Sequence, residues 1–299
     1  MNVVIAGGTG LIGSQLVELL LKDDHHIYIL TRNADNKKKT AKITYVNWLN
    51  EGDKPETELQ NIDVVVNLAG QSINNRWTAT EKKRILSSRI SATKNCLTLI
   101  ENLSKKPNVF LNASAVGFYG TSQTNTFTEA DKKAGTDFLA SVVEQWEAEA
   151  IKAEKFGIRT VFLRFGVVLA KDGGALNKML LPYKFFAGGT LGSGQQWLSW
   201  VHIDDAIKMI QFSIENEQIN GPINITAPNP ERMENFGKTL ATVLNKPHWL
   251  PAPSLALKLL LGEMSMLILK GQKAIPKKAE NSGYHFQYPE LDAALKNLL

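Results

Sequence analysis

The chain opens with a short β-branched run, Val3-Val4-Ile5-Ala6, that passes without a spacer into Gly7-Gly8-Thr9-Gly10-Leu11-Ile12-Gly13. Few arrangements accommodate that order. A Gly-x-x-Gly-x-x-Gly turn between a strand and a helix supplies a tight bend at its first glycine, close backbone approach to a ligand at its second, and hard helix-to-strand packing at its third. The same turn aims helix N–H groups and the positive end of the helix dipole at any anion outside the strand. Gly7, Thr9, Gly10, Leu11, Ile12 and Gly13 are therefore the candidate contacts for the pyrophosphate of a dinucleotide, against the plainer reading of a glycine-rich turn with no ligand.

From Asn2 to about Val168 short β-rich runs alternate with segments of helical period, the signature of a parallel sheet with crossover helices. Strands are expected at residues 2–6, 26–30, 43–47, 64–67, 108–112 and 159–165, with helices at 11–21, 78–103 and 138–156. The uninterrupted Val64-Val65-Val66 suits a central strand covered on both faces. After Val168 the texture changes. Asp172-Gly173-Gly174, Gly188-Gly189 and Gly192-Ser193-Gly194 read as loops over a cleft, followed by helices at 204–215, 233–244, 254–269 and 289–298 and one strand at 222–225. The fold class is α/β: a doubly wound parallel sheet spanning residues 1–168, which also receives about 200–225, and a smaller, mostly helical C-terminal substrate lobe over 169–299.

Composition removes several other classes. With 22 Gly and 11 Pro, neither periodic, and 43% apolar residues, collagen, repeat arrays and wholesale disorder are excluded. The formal charge of +5 favours anionic partners, but the basic runs Lys37–Lys39, Lys82–Arg84, Lys105–Lys106, Lys132–Lys133 and Lys277–Lys278 read as solvated surface, and no nucleic-acid motif accompanies them. Cys96 is alone among helical apolar residues, where a buried hydrophobe suits it better than a nucleophile and a reducing compartment is expected. No basic leader precedes the first strand, and Leu255–Leu269, broken by Lys258 and Glu263, reads as an amphipathic core helix too short and too charged to span a bilayer. The expectation is a cytoplasmic protein with no membrane partner.

The second strand ends in Thr31-Arg32, where an NAD site usually presents an acid to the adenosine ribose. A guanidinium there pairs with a 2′-phosphate, which points to NADP(H). The alternative is an Arg32 that simply extends into solvent.

The glycine turn, together with Asn67-Leu68-Ala69-Gly70 and Ser114-Ala115, resembles the extended short-chain dehydrogenase/reductase superfamily. Trp146-Glu147, Gly173-Gly174-Ala175, Trp200-Val201-His202-Ile203-Asp204-Asp205 and Thr226-Ala227-Pro228-Asn229-Pro230 are similar to an atypical branch of NAD(P)-binding, nucleoside-diphosphate-sugar epimerase family proteins. Gly271-Gln272-Lys273-Ala274-Ile275-Pro276 and Tyr288-Pro289-Glu290-Leu291 resemble that branch's own small C-terminal domain. The resemblance implies that Leu68, Ala69 and Gly70 lie along the cofactor's adenosine side. It also implies that Arg89 contacts a phosphate or ribose unless it is a surface ion pair, and that the stretch from Arg164 to Val168 borders the nicotinamide.

At the catalytic position the chain departs from the pattern. Active relatives carry Tyr-x-x-x-Lys on the helix after the fifth strand, the lysine tuning the phenol for proton exchange. The matching helix here begins Phe138-Leu139-Ala140-Ser141-Val142, and none of the six tyrosines has a lysine four positions later. Ser114 remains to orient a substrate oxygen. Tyr119 is a candidate substitute phenol, with a packing role as its alternative, and Glu129 reads as a loop carboxylate in preference to a substrate contact. His202 is expected to anchor the lobe interface, with Asp204 or Asp205 as a helix cap. The five histidines are scattered, so no metal site is expected. The expected function is NADP(H)-dependent, epimerase-like hydride transfer on a small polar substrate held between the lobes. The rival is a protein that keeps the cofactor as a sensor or scaffold and has lost turnover. The oligomeric state is left open.

Overall fold

A computed structural model describes residues 1–35, 37 and 40–299; Lys38 and Lys39 of the first lysine run lie outside the described residues. Seven strands form one parallel sheet: β1 (Asn2–Ala6), β2 (His26–Thr31), β3 (Ile43–Asn47), β4 (Val64–Asn67), β5 (Val109–Ala115), β6 (Arg159–Phe165) and β7 (Gly221–Ile225). Their spatial order is β7-β6-β5-β4-β1-β2-β3. It reverses at β1, and a crevice opens at the carboxyl ends of β1 and β4, the place where doubly wound sheets take ligands.

Period-two alternation divides the sheet's apolar residues between two cores. Val3, Ile5, Ile27, Ile29, Val64 and Val66 face one side, where they pack with α1 (Leu11–Lys22) and α5 (Ile203–Glu215). Val4, Ala6, Tyr28, Leu30 and Val65 face the other, against α2 (Ala79–Asn102) and α3 (Phe138–Ala150). Cys96 of α2 sits fully buried in this second core, and burial pushes its thiol far up from the ordinary range. The strand expected at 108–112 runs on to Ala115, which brings Ser114 to the crevice. The helix expected over 138–156 ends at Ala150 and continues as 3₁₀ turns to Phe156, where Gly157 closes it at φ 73°.

The C-terminal part contributes α4 (Gly174–Lys184), α6 (Met233–Leu244), α7 (Ser254–Leu261) and α8 (Leu291–Leu298). The single core helix expected over 254–269 is not formed. Gly262 takes φ 59° and breaks it, a 3₁₀ turn follows, and a four-residue helix resumes at Met266. No residue of α7 is buried. Apolar content alone predicted a core helix, but the left-handed glycine turns the chain before a long helix can pack.

Trp200 to Asp205 ties this part to the sheet's flank. His202, rather than either aspartate, caps α5: its Nδ1 accepts from the Asp204 N–H at 3.1 Å, its Nε2 lies 3.1 Å from Asn297 Oδ1, and its ring stacks 3.9 Å from that of Tyr288. Asp205, 1% exposed, accepts from the Gln287 N–H and Tyr284 hydroxyl on Oδ1 and from the Tyr288 N–H on Oδ2. Asp205→Ala would remove the acceptor of three part-buried donors and is expected to cost about 1 to 3 kcal/mol. Urea unfolding measures the loss, and limited proteolysis should show cleavage gained within residues 282–290. Unchanged stability would mean that this anchor is dispensable.

Candidate functional site

A cleft of about 590 Å³ opens at the crevice, walled by the Gly7 turn, the β4 turn, the ends of β5 and β6, one face of α3 and the segment Met266–Gln272. Backbone geometry explains the glycine turn. Gly7 has φ 80°, and a Cβ on it would lie 2.8 Å from the Leu68 carbonyl carbon and oxygen. A Cβ on Gly13 would lie 2.2 Å from the Gly7 carbonyl oxygen. Gly10 differs: its backbone is extended at φ −80°, and a Cβ would meet only the Gly7 oxygen at 3.3 Å. Gly7 and Gly13 are thus required by the protein's own packing, whereas the space beside Gly10 is free for a ligand. α1 has no side-chain cap and no acid in its first turn, so the N–H groups of Leu11 and Ile12 are left for an anion. The residues present fit a dinucleotide pyrophosphate.

Buried polar groups shape the facing turn. Asn67 Oδ1 accepts from the Ala69 N–H at 3.1 Å, and its Nδ2 donates to Asn112 Oδ1 at 2.7 Å and Thr93 Oγ1 at 3.2 Å. Trp146 donates to the same Thr93 oxygen at 3.0 Å. Leu68, Gly70, Arg89 and Val168 line the cleft together with Gly7, Gly10, Leu11, Ile12 and Gly13. Arg89 donates through Nη1 to the Gln71 and Ile85 carbonyls and lies 5.1 Å from the Trp146 ring. Burial lowers its guanidinium to about 10, which leaves it charged at neutral pH. Thr9, Ala69, Thr31 and Arg32 stand outside the cleft wall: Thr9 is exposed on the loop, Ala69 packs toward the second core, and Thr31 with exposed Arg32 ends β2.

Ser114 lines the cleft at 3% exposure and donates its hydroxyl hydrogen to Glu147 Oε1 at 2.5 Å. Arg164 grips the same carboxylate bidentately, Nε to Oε1 and Nη2 to Oε2, both at 2.8 Å, while its guanidinium stacks 3.6 Å over Phe118. Burial opposes the charge on Arg164, but hydrogen bonds and charge from Glu147 outweigh it and hold the guanidinium above its ordinary value. An ion-paired carboxylate only accepts. The Ser114 hydrogen is therefore committed inward and its lone pairs face the cleft, so Ser114 acts there as an acceptor.

Tyr119 is not in the cleft wall. Its ring stacks on Phe127 at 5.2 Å, its hydroxyl donates to Asn224 Oδ1 at 2.8 Å, and burial pushes the phenol up to about 12 despite Arg164 nearby. Glu129 is a loop carboxylate, in the turn after Thr128, but only 8% exposed: it accepts the Asn224 and Lys278 N–H groups and is a structural acceptor inside the fold. Phe138 turns away onto Trp77 at 5.3 Å, and Leu139, Val142, Val143 and Trp146 face the cleft instead. The lining holds three ionisable side chains among the described residues: Arg89, Asp137, which caps α3, and exposed Lys270. At the mouth, Arg232 and Lys273 lie 3.8 and 5.0 Å from the Trp197 ring centre. No group of three or more His, Cys, Asp or Glu side chains suited to a metal occurs among the described residues.

Sequence reasoning missed the role of Glu147, although a signal existed: it shares a helix face with Ala140, Val143 and Ala150, all buried, and an acid on an apolar stripe needs a partner. The cleft wall from Met266 to Gln272 gave no such signal.

Residues 3–226 match the NAD dependent epimerase/dehydratase family, and residues 252–298 match a domain of unknown function, DUF1731. The chain belongs to the NAD dependent epimerase/dehydratase family. Its curated relatives include epimerase family protein YfhF of Bacillus subtilis, 52% identical over all of this chain and 98% of that one. Another is epimerase family protein SA0724 of Staphylococcus aureus, 48% identical over 99% of this chain and 98% of that one. The crystal structure of human epimerase family protein SDR39U1 with NADPH superposes with a TM-score of 0.87 at 32% identity, covering 100% of this chain and 99% of that one. UDP-glucuronic acid 4-epimerase from Bacillus cereus, at 19% identity and TM-score 0.81 over 99% and 97% of the two chains, shares the fold.

Two substitutions separate ligand from scaffold at the glycine turn. Gly10→Val is expected to abolish dinucleotide binding in titration calorimetry while thermal melting stays near that of the wild type. Gly13→Ala should cost about 3 kcal/mol through overpacking. Retained binding in a folded Gly10→Val protein would reduce the motif to a turn. For Tyr119→Phe, we expect NADPH affinity and any turnover within a few-fold of wild type, and a stability loss of about 1 to 2 kcal/mol from the stranded Asn224 acceptor. A rate loss of roughly a hundredfold at unchanged stability would make Tyr119 a proton donor.

Proposed function

We propose that this family member is an NADP(H)-dependent, epimerase-like oxidoreductase acting on a small polar substrate in the cleft. The observation that carries the reading is the convergence, at one sheet end, of the Gly10 space and Ser114. When bound, the dinucleotide supplies hydride exchange at its nicotinamide ring. The chain's own residues do the rest. Backbone N–H groups of Leu11 and Ile12 hold the pyrophosphate, Thr31 and Arg32 meet the adenosine ribose and its 2′-phosphate, and Arg89 with Leu68, Ala69 and Gly70 borders the remainder. Val168 closes the nicotinamide side. Ser114, held by Glu147, accepts a hydrogen bond from a substrate hydroxyl and so favours the alcohol form. Arg232, Lys273 and Lys270 around Trp197 favour a substrate with an anionic group, as a nucleotide sugar has.

One observation favours a second reading. The α3 face toward the cleft, Leu139, Val142, Val143 and Trp146, offers no proton donor beyond the Trp146 indole, which is committed to Thr93, and this suits a cofactor-binding sensor without turnover.

Calorimetric titration is expected to give at least about a tenfold preference for NADPH over NADH, since a charge-assisted phosphate pair contributes about 1.5 to 3 kcal/mol. Arg32→Ala should remove most of that preference; equal wild-type affinities would overturn the cofactor assignment. NADPH-loaded protein offered carbonyl compounds and keto-sugar nucleotides should oxidise the cofactor, with Ser114→Ala slower at unchanged NADPH affinity. Absence of any exchange of a deuteride label with the substrate pool would favour the sensor.

A further inference from the structure

Twelve large apolar side chains are markedly exposed among the described residues, and eight of them fall in two short stretches: Leu181, Phe185 and Phe186, then Trp249, Leu250, Leu255, Leu259 and Leu260. The two stretches adjoin. The Trp249 indole N–H donates to the Phe186 carbonyl at 2.8 Å, the Trp249 N–H donates to the Gly188 carbonyl at 2.9 Å, and Leu191 bridges Ala252, two residues before α7. Phe186 sits in the left-handed region at φ 57° and 55% exposed, a conformation that favours glycine or asparagine, and here it leaves a phenyl ring in solvent.

Helix α7 makes the face unusual. At 100° per residue, Leu255, Ala256, Leu259 and Leu260 fall on its outer side, and Leu257 and Leu261, which are half-buried, on its inner side. Leu255, Leu259 and Leu260 are 70, 75 and 74% exposed. A helix with leucines on both its inner and outer sides ordinarily has an apolar neighbour against each. This one has protein on one side only.

The charges identify the missing neighbour. Residues 178–186 and 246–260 contain four lysines, Lys178, Lys184, Lys246 and Lys258, and no aspartate or glutamate. Lys246 lies 3.8 Å from the Phe186 ring centre, and Lys178, Lys184 and Lys258 are exposed. A second copy of the chain brought to this face would set lysine against lysine without an acid from either stretch to answer them. An anionic lipid surface meets both halves of the pattern: acyl chains for the leucines, phenylalanines and tryptophan, and headgroup phosphates for the lysines.

We propose that this face docks the protein peripherally on an anionic phospholipid bilayer, α7 lying in the interfacial plane. The absence of a spanning segment, from which no membrane partner was expected, does not bear on a helix that lies on the surface; no helix among the described residues is long and apolar enough to cross one. Only the Gly262–Ser265 turn separates α7 from Met266 and Leu267 of the cleft wall, so docking places that wall close to the bilayer.

Co-sedimentation of the full chain with vesicles tests it. Binding is expected to phosphatidylcholine vesicles containing phosphatidylglycerol and not to pure phosphatidylcholine, and to weaken in high salt, since each lysine near an anionic surface contributes about fivefold in affinity. Leu259→Ser with Leu260→Ser, and separately Lys184→Ala with Lys258→Ala, should each weaken binding at least about tenfold. Circular dichroism and thermal melting must show both variants folded; these exposed positions leave the cores intact. No binding to anionic vesicles, equal binding to neutral ones, or full binding by the leucine variant would each overturn the proposal. So would a dimer in light scattering that the leucine variant dissolves, which would assign the face to a second copy.

Discussion

The architecture depends on backbone meeting backbone at the head of the sheet. Gly13 of α1 sits directly against the Gly7 carbonyl, and Gly7 against the Leu68 carbonyl of the neighbouring β4 turn, with no room for a Cβ at either contact. This brings the first helix, the first strand and the fourth strand to a common point at the place where strand order reverses. A side chain at either glycine would push α1 off the sheet, and the crevice between β1 and β4 would lose its floor. The absence of side chains at this point is what permits a cleft there.

The opposite wall is built on another principle. α3 turns an apolar face to the cleft, and its one buried acid, Glu147, is withdrawn behind Ser114 and locked by Arg164. A buried carboxylate without the guanidinium would be costly, and the pair holds together because both of its oxygens and the serine hydroxyl are satisfied at once. The outcome is a serine oxygen with a defined polarity beside the apolar face of α3. Phe138 and Val142, which stand where the Tyr-x-x-x-Lys pattern would fall, carry no ionisable group, and Glu147 with Arg164 stands one layer back.

Much of the fold was legible because it follows from local rules. Period-two alternation and the Val64–Val66 run placed β1 and β4, and Met233–Leu244 was readable from helical period alone. The glycine turn was legible because its spacing is a steric requirement. Glu147 was not, since its meaning lies in Arg164, 17 residues away on a neighbouring strand. Glu129 was read as a loop carboxylate and does lie in a turn, but its burial was not legible, because its two N–H partners come from residues 224 and 278, which no local pattern connects to it. The break at Gly262 was missed because a glycine in a leucine-rich stretch gives no sign whether it will adopt a left-handed turn. The anchoring role of His202 was expected, but its capping of α5 was not, since aspartate is the commoner cap and the groups that fix the ring, Asn297 and Tyr288, lie far along the chain.

The cradle at Gly7–Gly13 has a consequence for how this chain can diverge. Its contacts are main-chain atoms, which few substitutions can alter without disturbing the sheet. The facing wall from Met266 to Gln272 presents the side chains of Met266, Leu267, Lys270 and Gln272; within it only Gly271 is fixed by backbone packing, against the Trp197 carbonyl, and Ser199 and the Thr126–Phe127 strand pairing hold the segment's C-terminal end. Replacements in that segment can change the shape and charge of the substrate side while the glycine cradle stays as it is. Lineages sharing this scaffold can therefore explore new substrates in small steps, each starting from a protein that still folds and still presents the same cradle.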